Sequence, residues 1–397
     1  MNIYPMPYLK QRAGSGQMNR NKVIQINLQE KFGGGEIYTA FLCRALSELG
    51  VQTTLICNRR SAFWHTLNLP VDTILCPVDS ADDIAQALPG TPYWLLSHGP
   101  VGELLLPMIR VQGHFLTGIC HMPPQGRRIA TFPEYDMVFG VSGYVVNGLK
   151  AAGVKAWDMP LYGVADVHRG AAQPDRSVFL RQASPYDWDL RKFRERVFSW
   201  FEPLCEPFLV RPCFEKRPGI TVGIVSRLAT IKQFPQLFEQ LAPILTRFPE
   251  VNIEVFGSGG YTMVRDLRLA IAPIRDRVRF WGHQGDVAAV YAQIDYLLSG
   301  LPEKEALGLN ILEAQAAGVP VIAVNAPPFN ETVRDGVSGY LYTDPRQDRG
   351  QAFGALLGQL TQPAHQRLLV CKEHLQQFTA EAFRDRLKPI LAMIPHG

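Results

Sequence analysis

Residues 305–322 read Glu305-Ala306-Leu307-Gly308-Leu309-Asn310-Ile311-Leu312-Glu313-Ala314-Gln315-Ala316-Ala317-Gly318-Val319-Pro320-Val321-Ile322, a loop, a helix, a turn and the start of a strand. Gly308 marks the turn into the helix, and Leu309, Leu312 and Ala316 then recur at helical spacing. Gly318 suits the left-handed position just past a helix end, and Pro320 prevents continuation. Residues 319–324 form an apolar run of the kind buried in a parallel sheet. Two acids, Glu305 and Glu313, stand eight residues apart, one before the helix and one inside it.

That spacing narrows the chemistry. Carboxylates paired for glycoside hydrolysis sit roughly 5 to 9 Å apart, whereas eight helical residues rise about 12 Å. The two acids therefore suit opposite ends of one elongated ligand. Between them the N–H groups of Gly308, Leu309 and Asn310 open a helix, a place that favours phosphate through its donors and its dipole. Hydroxyls at either end and phosphate in the middle describe a sugar nucleotide. The bland alternative is a surface Glu and a helix Glu in an ordinary α/β unit.

Working outward, the second half of the chain alternates strands and helices. Strands are expected at 220–226, 252–257, 278–281, 296–299 and 338–342, and helices at 234–248 and 286–294. Residues 364–378 and 380–394 are expected to be helical. The first half has the same rhythm, with strands at 22–29, 51–58, 72–78, 93–97, 114–121, 137–141 and 157–161. Such alternation predicts a parallel, doubly wound sheet in each half, with ligands beyond the carboxyl ends of the strands. The two halves show no similarity beyond this rhythm. After the first strand comes Lys31-Phe32-Gly33-Gly34-Gly35-Glu36, whose adjacent glycines permit close approach of backbone to ligand. It lacks the dinucleotide fingerprint, and a sharp turn without a ligand is the alternative.

At 397 residues the chain is long for one core and suggests two domains. Residues 1–170 form the first, 171–217 a linker or insertion, 218–378 the second, and 379–397 a helix expected to pack back on the first. Hydrophobic residues make up 47% and net charge is +4, which fits a globular chain and argues against a dedicated nucleic-acid binder. Seven scattered cysteines without a C-x-x-C pair suit a reduced, cytoplasmic setting without structural zinc. Residues 1–21 are polar, with no apolar stretch of signal-peptide type. Residues 186–201 mix Trp188, Phe193, Trp200 and Phe201 with charges. They read as a helix docked between domains or, alternatively, as an interfacial helix in peripheral contact with a membrane.

Individual side chains stand at informative places. His98 and His121 close two predicted strands of the first half, and His121 is favoured because an apolar strand delivers it into a Pro-rich turn. Arg127 and Arg128 follow, as an anion contact or a solvated pair. Arg227 and Lys232 lie five positions apart just after the first strand of the second half, where a guanidinium fork and an ammonium suit a diphosphate. Ser142 is placed to cap the helix after it.

These residues resemble the retaining glycosyltransferases of family four, whose B-type fold has two Rossmann-like domains facing across a cleft. The similarity covers the chain from about Lys22 onward, apart from 170–218. It rests on Glu305 and Glu313 within the long pattern quoted above. Gly33-Gly34-Gly35-Glu36, Ser226-Arg227-Leu228 with Lys232, and Phe256-Gly257-Ser258-Gly259 support it. Met159-Pro160-Leu161-Tyr162-Gly163-Val164-Ala165 departs from the family's P-N-G-V-D, with Tyr for Asn and Ala for Asp.

The resemblance implies that Arg227 and Lys232 hold the donor diphosphate, Glu313 the ribose hydroxyls and Glu305 the donor sugar. The backbone at Gly308, Leu309 and Asn310 would add to the phosphate site, with Gly34, Gly35 and Gly257 lining it and His121 touching the sugar. It implies a hexose moved from a nucleotide-diphosphate sugar, UDP first and GDP-mannose next, to a carbohydrate, glycolipid or other hydroxyl acceptor. The anomer would be retained, with no cofactor or metal, in polysaccharide synthesis. An epimerase of the same architecture, or a non-catalytic sugar-nucleotide-binding protein, remains the rival.

Overall fold

A computed structural model of the chain describes residues 21–124, 129, 131–165, 180–183, 197, 200–201 and 211–395. Arg127, Arg128, Trp188 and Phe193 lie outside the described residues, as does most of 171–217. The chain divides into two compact units, one made of Met1–Leu161 with Ala380–Gly397 and the other of Tyr162–Thr379.

The first unit holds six strands: β1 (Lys22–Asn27), β2 (Gln52–Asn58), β3 (Ile74–Val78), β4 (Trp94–Ser97), β5 (Phe115–Cys120) and β6 (Met137–Gly140). All neighbours run parallel, in the order β3-β2-β1-β4-β5-β6. β4 and β5 are buried along their whole length, as apolar strands between two helical layers must be. The helix Gly34–Glu48 carries Tyr38, Phe41, Leu42, Ala45 and Leu46 into the core. Ser142 caps the helix Gly143–Ala151, its hydroxyl accepting from the Val145 N–H at 3.1 Å. The last helix, Ala380–Met393, packs in this unit. Phe383 meets the Tyr38 ring edge-on at 5.6 Å between centroids, and Arg384 pairs with Glu48 at 2.6 Å.

The second unit holds β7 (Ile220–Val225), β8 (Val251–Phe256), β9 (Val278–Gly282), β10 (Tyr296–Leu298), β11 (Val321–Val324) and β12 (Gly339–Tyr342). Their order is β12-β11-β10-β7-β8-β9, again parallel throughout. Read from the other edge and counted from β7, that is the strand order of the first unit. The two halves thus share a topology and not merely a rhythm, a correction to the sequence reading. Strand order follows from right-handed crossovers on alternating faces, which residue identity does not report.

Two expected elements are absent. Residues 157–161 are not a strand: only Ala156 bridges to Val138, although the Trp157 and Leu161 N–H groups still bond to Val138 and Gly140 at 2.9 Å. Pro160 has no N–H to extend a ladder. Residues 364–378 are not one helix: 3-10 turns occupy only Lys372–Phe378, and Leu369 is 89% exposed. Leu375 and Phe378, in the 3-10 turns, are buried, while before them the chain bonds the Cys371 N–H to the Val337 carbonyl at 3.2 Å.

Tyr162 and Ala165, in the stretch that departs from the family pattern, are fixed within the second unit. Tyr162 Oη donates to Glu331 at 3.1 Å and its ring packs edge-on against Phe378, while the Ala165 N–H bonds to the Phe378 carbonyl at 2.8 Å. Leu180 and Phe214, inside the expected linker, are buried in the second unit's core.

Candidate functional site

A doubly wound sheet opens a crevice where the strand order reverses, because the loops there leave in opposite directions. In the second unit that point lies between β7 and β10, which pair directly. Arg227 and Lys232 follow β7, and the loop containing Glu305 follows β10. The backbones of these loops touch: the Leu301 N–H bonds to the Lys232 carbonyl at 3.2 Å, and a Cβ at Gly300 would sit 2.2 Å from that oxygen. Their side chains meet as well. Lys232 Nζ donates to Glu305 Oε2 in an ion pair with side chains only 15% and 14% exposed. The resemblance implies separate ligand roles for these two residues; the structure joins them directly. Arg227, on the loop after β7, is exposed.

The helix after Glu305 runs Leu309–Ala316, with Gly308 as its N-cap at φ 84°. A Cβ there would be strained by that φ and would also lie 2.9 Å from Ile311 Cδ1. Residues 305–308 precede the helix, so the helical rise assumed between Glu305 and Glu313 does not apply to their separation. The first-turn N–H groups of Leu309 and Asn310 have no partner one turn back within the helix, as at every helix start. Asn310 ties this start to the switch point, its Nδ2 donating to the Val225 carbonyl at 3.2 Å.

Glu313 is buried on the same helix, 8% exposed. Tyr291, from the helix Val287–Gln293, places its hydroxyl 3.3 Å from Glu313 Oε2 and 3.1 Å from the Asn310 carbonyl. Sequence reading missed Tyr291. Its only signal was an aromatic with a polar tip on an otherwise small, apolar helix. Removing one neutral hydrogen bond costs about 0.5–1.5 kcal/mol. Tyr291→Phe is therefore expected to weaken nucleotide binding about 2- to 10-fold by calorimetry while leaving the fold intact.

The resemblance puts Gly257 in the lining of the phosphate site; the structure gives Gly257, and Gly259 beside it, packing work. The loops after β7 and β8 run on as a pair, with the Leu228 N–H bonded to the Ser258 carbonyl at 2.8 Å and Leu228 bridging Gly259. A Cβ at Gly257 would fall 1.9 Å from the Ser226 carbonyl, and one at Gly259 2.2 Å from that of Leu228. In the first unit Gly34 is exposed, and a Cβ at Gly35 would meet nothing within 4 Å. Packing therefore leaves Gly35 open to a ligand.

The first unit's switch point lies between β1 and β4, also direct neighbours. His98 and His121, after β4 and β5, come together here, with His98 Nδ1 2.9 Å from His121 Nε2. Burial pushes His121 down to about 4 and His98 well below the usual histidine range. Both titrate near ~6.5 when unfolded. As pH falls from there, the unfolded chain takes up protons that the folded chain refuses, so stability is present above that pH and lost toward about 4. Urea unfolding is expected to show lower stability at pH 5 than at pH 7, with the difference reduced in His98→Phe.

Among the described residues, no cluster of His, Cys, Asp and Glu is placed to hold a metal, and no helix is long and apolar enough to cross a membrane.

Two Rossmann-like domains with parallel six-stranded sheets of one strand order constitute a B-type glycosyltransferase fold. Within it, residues 219–361 match the glycosyl transferases group 1 family, and the second unit carries a domain of that family.

Curated relatives support the same class. The GtfA subunit of the UDP-N-acetylglucosamine–peptide N-acetylglucosaminyltransferase of Streptococcus agalactiae is 26% identical over 167 residues, 42% of this chain and 33% of that protein. N-acetyl-alpha-D-glucosaminyl L-malate synthase of Bacillus anthracis is 33% identical over 122 residues, 30% of each chain. These matches span about a third of the relatives' length.

Among solved structures, Anabaena HepE in complex with UDP and glucose has a TM-score of 0.66 at 17% identity, covering 94% of this chain and 99% of that one. The pneumococcal O-GlcNAc transferase GtfA in complex with UDP and GlcNAc has a TM-score of 0.64 at 12% identity, covering 96% and 99%.

Proposed function

We propose that the chain is a retaining glycosyltransferase that moves a hexose from a UDP-sugar to a hydroxyl-bearing acceptor. The observation carrying this reading is the second unit's switch point. There Lys232, Glu305, Arg227 and a helix start held by Asn310 gather within the group 1 domain, with Glu313 one turn along the helix. UDP is favoured because relatives of this chain are named for UDP-linked sugars or were solved with UDP.

The mechanism follows from charge. Breaking the bond between the anomeric carbon and the diphosphate oxygen builds positive charge on the sugar and negative charge on the leaving group. Lys232, Arg227 and the helix N-terminus stabilise the latter, without calling on a metal. Glu313 takes the ribose hydroxyls. Glu305 orients Lys232 and reaches the sugar hydroxyls as the diphosphate draws the ammonium away. The acceptor hydroxyl attacks from the face the diphosphate leaves, a departing phosphate oxygen takes its proton, and the anomer is retained.

Incubation with UDP-glucose, UDP-N-acetylglucosamine and GDP-mannose, each with and without a panel of glycosides and diacylglycerol, tests this. Release of UDP with an α-linked product by NMR is expected. An isomerised sugar nucleotide formed from donor alone would replace the reading with an epimerase.

A further inference from the structure

The two histidines of the first unit lie in one plane. Their rings are inclined by only 13° and their centroids are 5.2 Å apart, with 2.9 Å between the facing nitrogens. A face-to-face stack cannot bring two ring nitrogens into a hydrogen bond along the line of centres, so the contact is edge to edge. It spends His121 Nε2 on His98 and turns His121 Nδ1 away from it.

The proton positions follow from the groups behind His98. Gln25 is buried; its Nε2 donates toward Thr53 Oγ1 at 3.3 Å and Cys43 Sγ at 3.4 Å, which leaves Oε1 to accept from His98 Nε2–H at 2.8 Å. A neutral His98 that donates from Nε2 has a bare Nδ1. That nitrogen accepts from His121 Nε2–H, while the Thr39 hydroxyl, 3.2 Å from it, donates its proton to the Gly35 carbonyl at 2.9 Å. Asn27 Nδ2 donates to the remaining side of Thr39 at 2.9 Å. The same buried chain thus anchors the glycine turn and fixes His121.

We propose that His98 is a positioning residue that, with Gln25, locks His121 into the neutral tautomer bearing its proton on Nε2, so that His121 Nδ1 only accepts a hydrogen bond and its ligand must present a hydroxyl donor. This rests on the reading above for the identity of that ligand, a sugar hydroxyl, but not for the tautomer. Burial keeps both rings uncharged, which excludes the alternative in which the pair shares an extra proton. Tyr38 packs its ring edge-on at 4.9 Å from the His121 centroid and is itself un-ionised through burial, opposed only in part by the charge of Arg386 on the last helix. Cys43, behind Gln25, is a thiol pushed up to about 12.

Long-range proton–nitrogen NMR on histidine-labelled wild-type protein without ligand reads the tautomer directly. A pyrrole-type Nε2 and a pyridine-type Nδ1 on His121 at pH 6 are expected. A proton on Nδ1, or a cationic ring at that pH, overturns the proposal. For function, kcat/KM of the wild type is expected to show no limb from His121 between pH 5 and 8. His98→Phe removes the acceptor for Nε2–H and should lose about 2- to 10-fold in kcat/KM, with the His121 proton spread over both nitrogens in the same NMR experiment while burial still keeps the ring uncharged. His98→Gln, which can still accept from Nε2–H, should restore the single tautomer and the rate if His98→Phe folds poorly. Unchanged activity and an unchanged His121 tautomer in a folded His98→Phe would also overturn the proposal. If wild type transfers no sugar, the functional reading fails while the NMR result still decides this one.

Discussion

Lys232→Ala is expected to lower kcat about 10²- to 10³-fold, the usual cost of removing a preorganised group that stabilises transition-state charge. The reasons go beyond one lost ammonium. Lys232 Nζ is bound to Glu305, and both side chains are largely removed from water. Deleting the lysine leaves a carboxylate uncompensated beside the place proposed for a diphosphate, and that charge opposes the ligand as well as the transition state. The double variant Lys232→Ala/Glu305→Ala separates the two effects. Nucleotide affinity, measured by calorimetry, is expected to recover in part, while kcat stays low because nothing replaces the charge on the leaving group. Full recovery of kcat in the double variant would mean that the pair only holds loops together.

Gly257→Ala is expected to destabilise the chain by about 2–4 kcal/mol. Gly257 sits at φ 154°, and its added carbon would overlap the Ser226 carbonyl at 1.9 Å. Backbone cannot rotate away as a side chain does, so relief requires parting the ends of β7 and β8, where the Ser226 N–H bonds to the Phe256 carbonyl at 3.1 Å. Arg227 would move with Ser226, so activity should fall with stability. Gly35→Ala is the contrast: nothing lies within 4 Å of the new carbon. Its melting temperature should hold, because alanine favours a helix start more than glycine does, while kcat/KM falls if backbone must approach the donor there. Thermal unfolding beside steady-state kinetics for the two variants checks both halves of this argument.

The quoted stretch of sequence was legible because its punctuation is chemical. Gly308 and Gly318 do take left-handed backbone, at φ 84° and 77°, and a buried strand follows Pro320. Most strands were visible as apolar runs for the same reason. What the sequence hid was relational. The shared strand order of the two halves, the Lys232–Glu305 pair and Tyr291 at Glu313 all join residues distant in the chain, and no local period encodes which loops the topology makes neighbours. The packing role of Gly257 was hidden likewise, since a glycine that admits a ligand and one that admits a carbonyl look alike. Residues 157–161 misled because an apolar extended run resembles a strand until Pro160 is counted against the ladder.

Calorimetric titration of UDP into the purified protein and into Glu313→Ala tests the proposed donor site. Saturable one-site binding to the wild type and its loss in Glu313→Ala are expected, because the buried Glu313 carboxylate is the group proposed for the ribose. No heat of binding with the wild type, or equal affinity in the two proteins, would contradict that assignment.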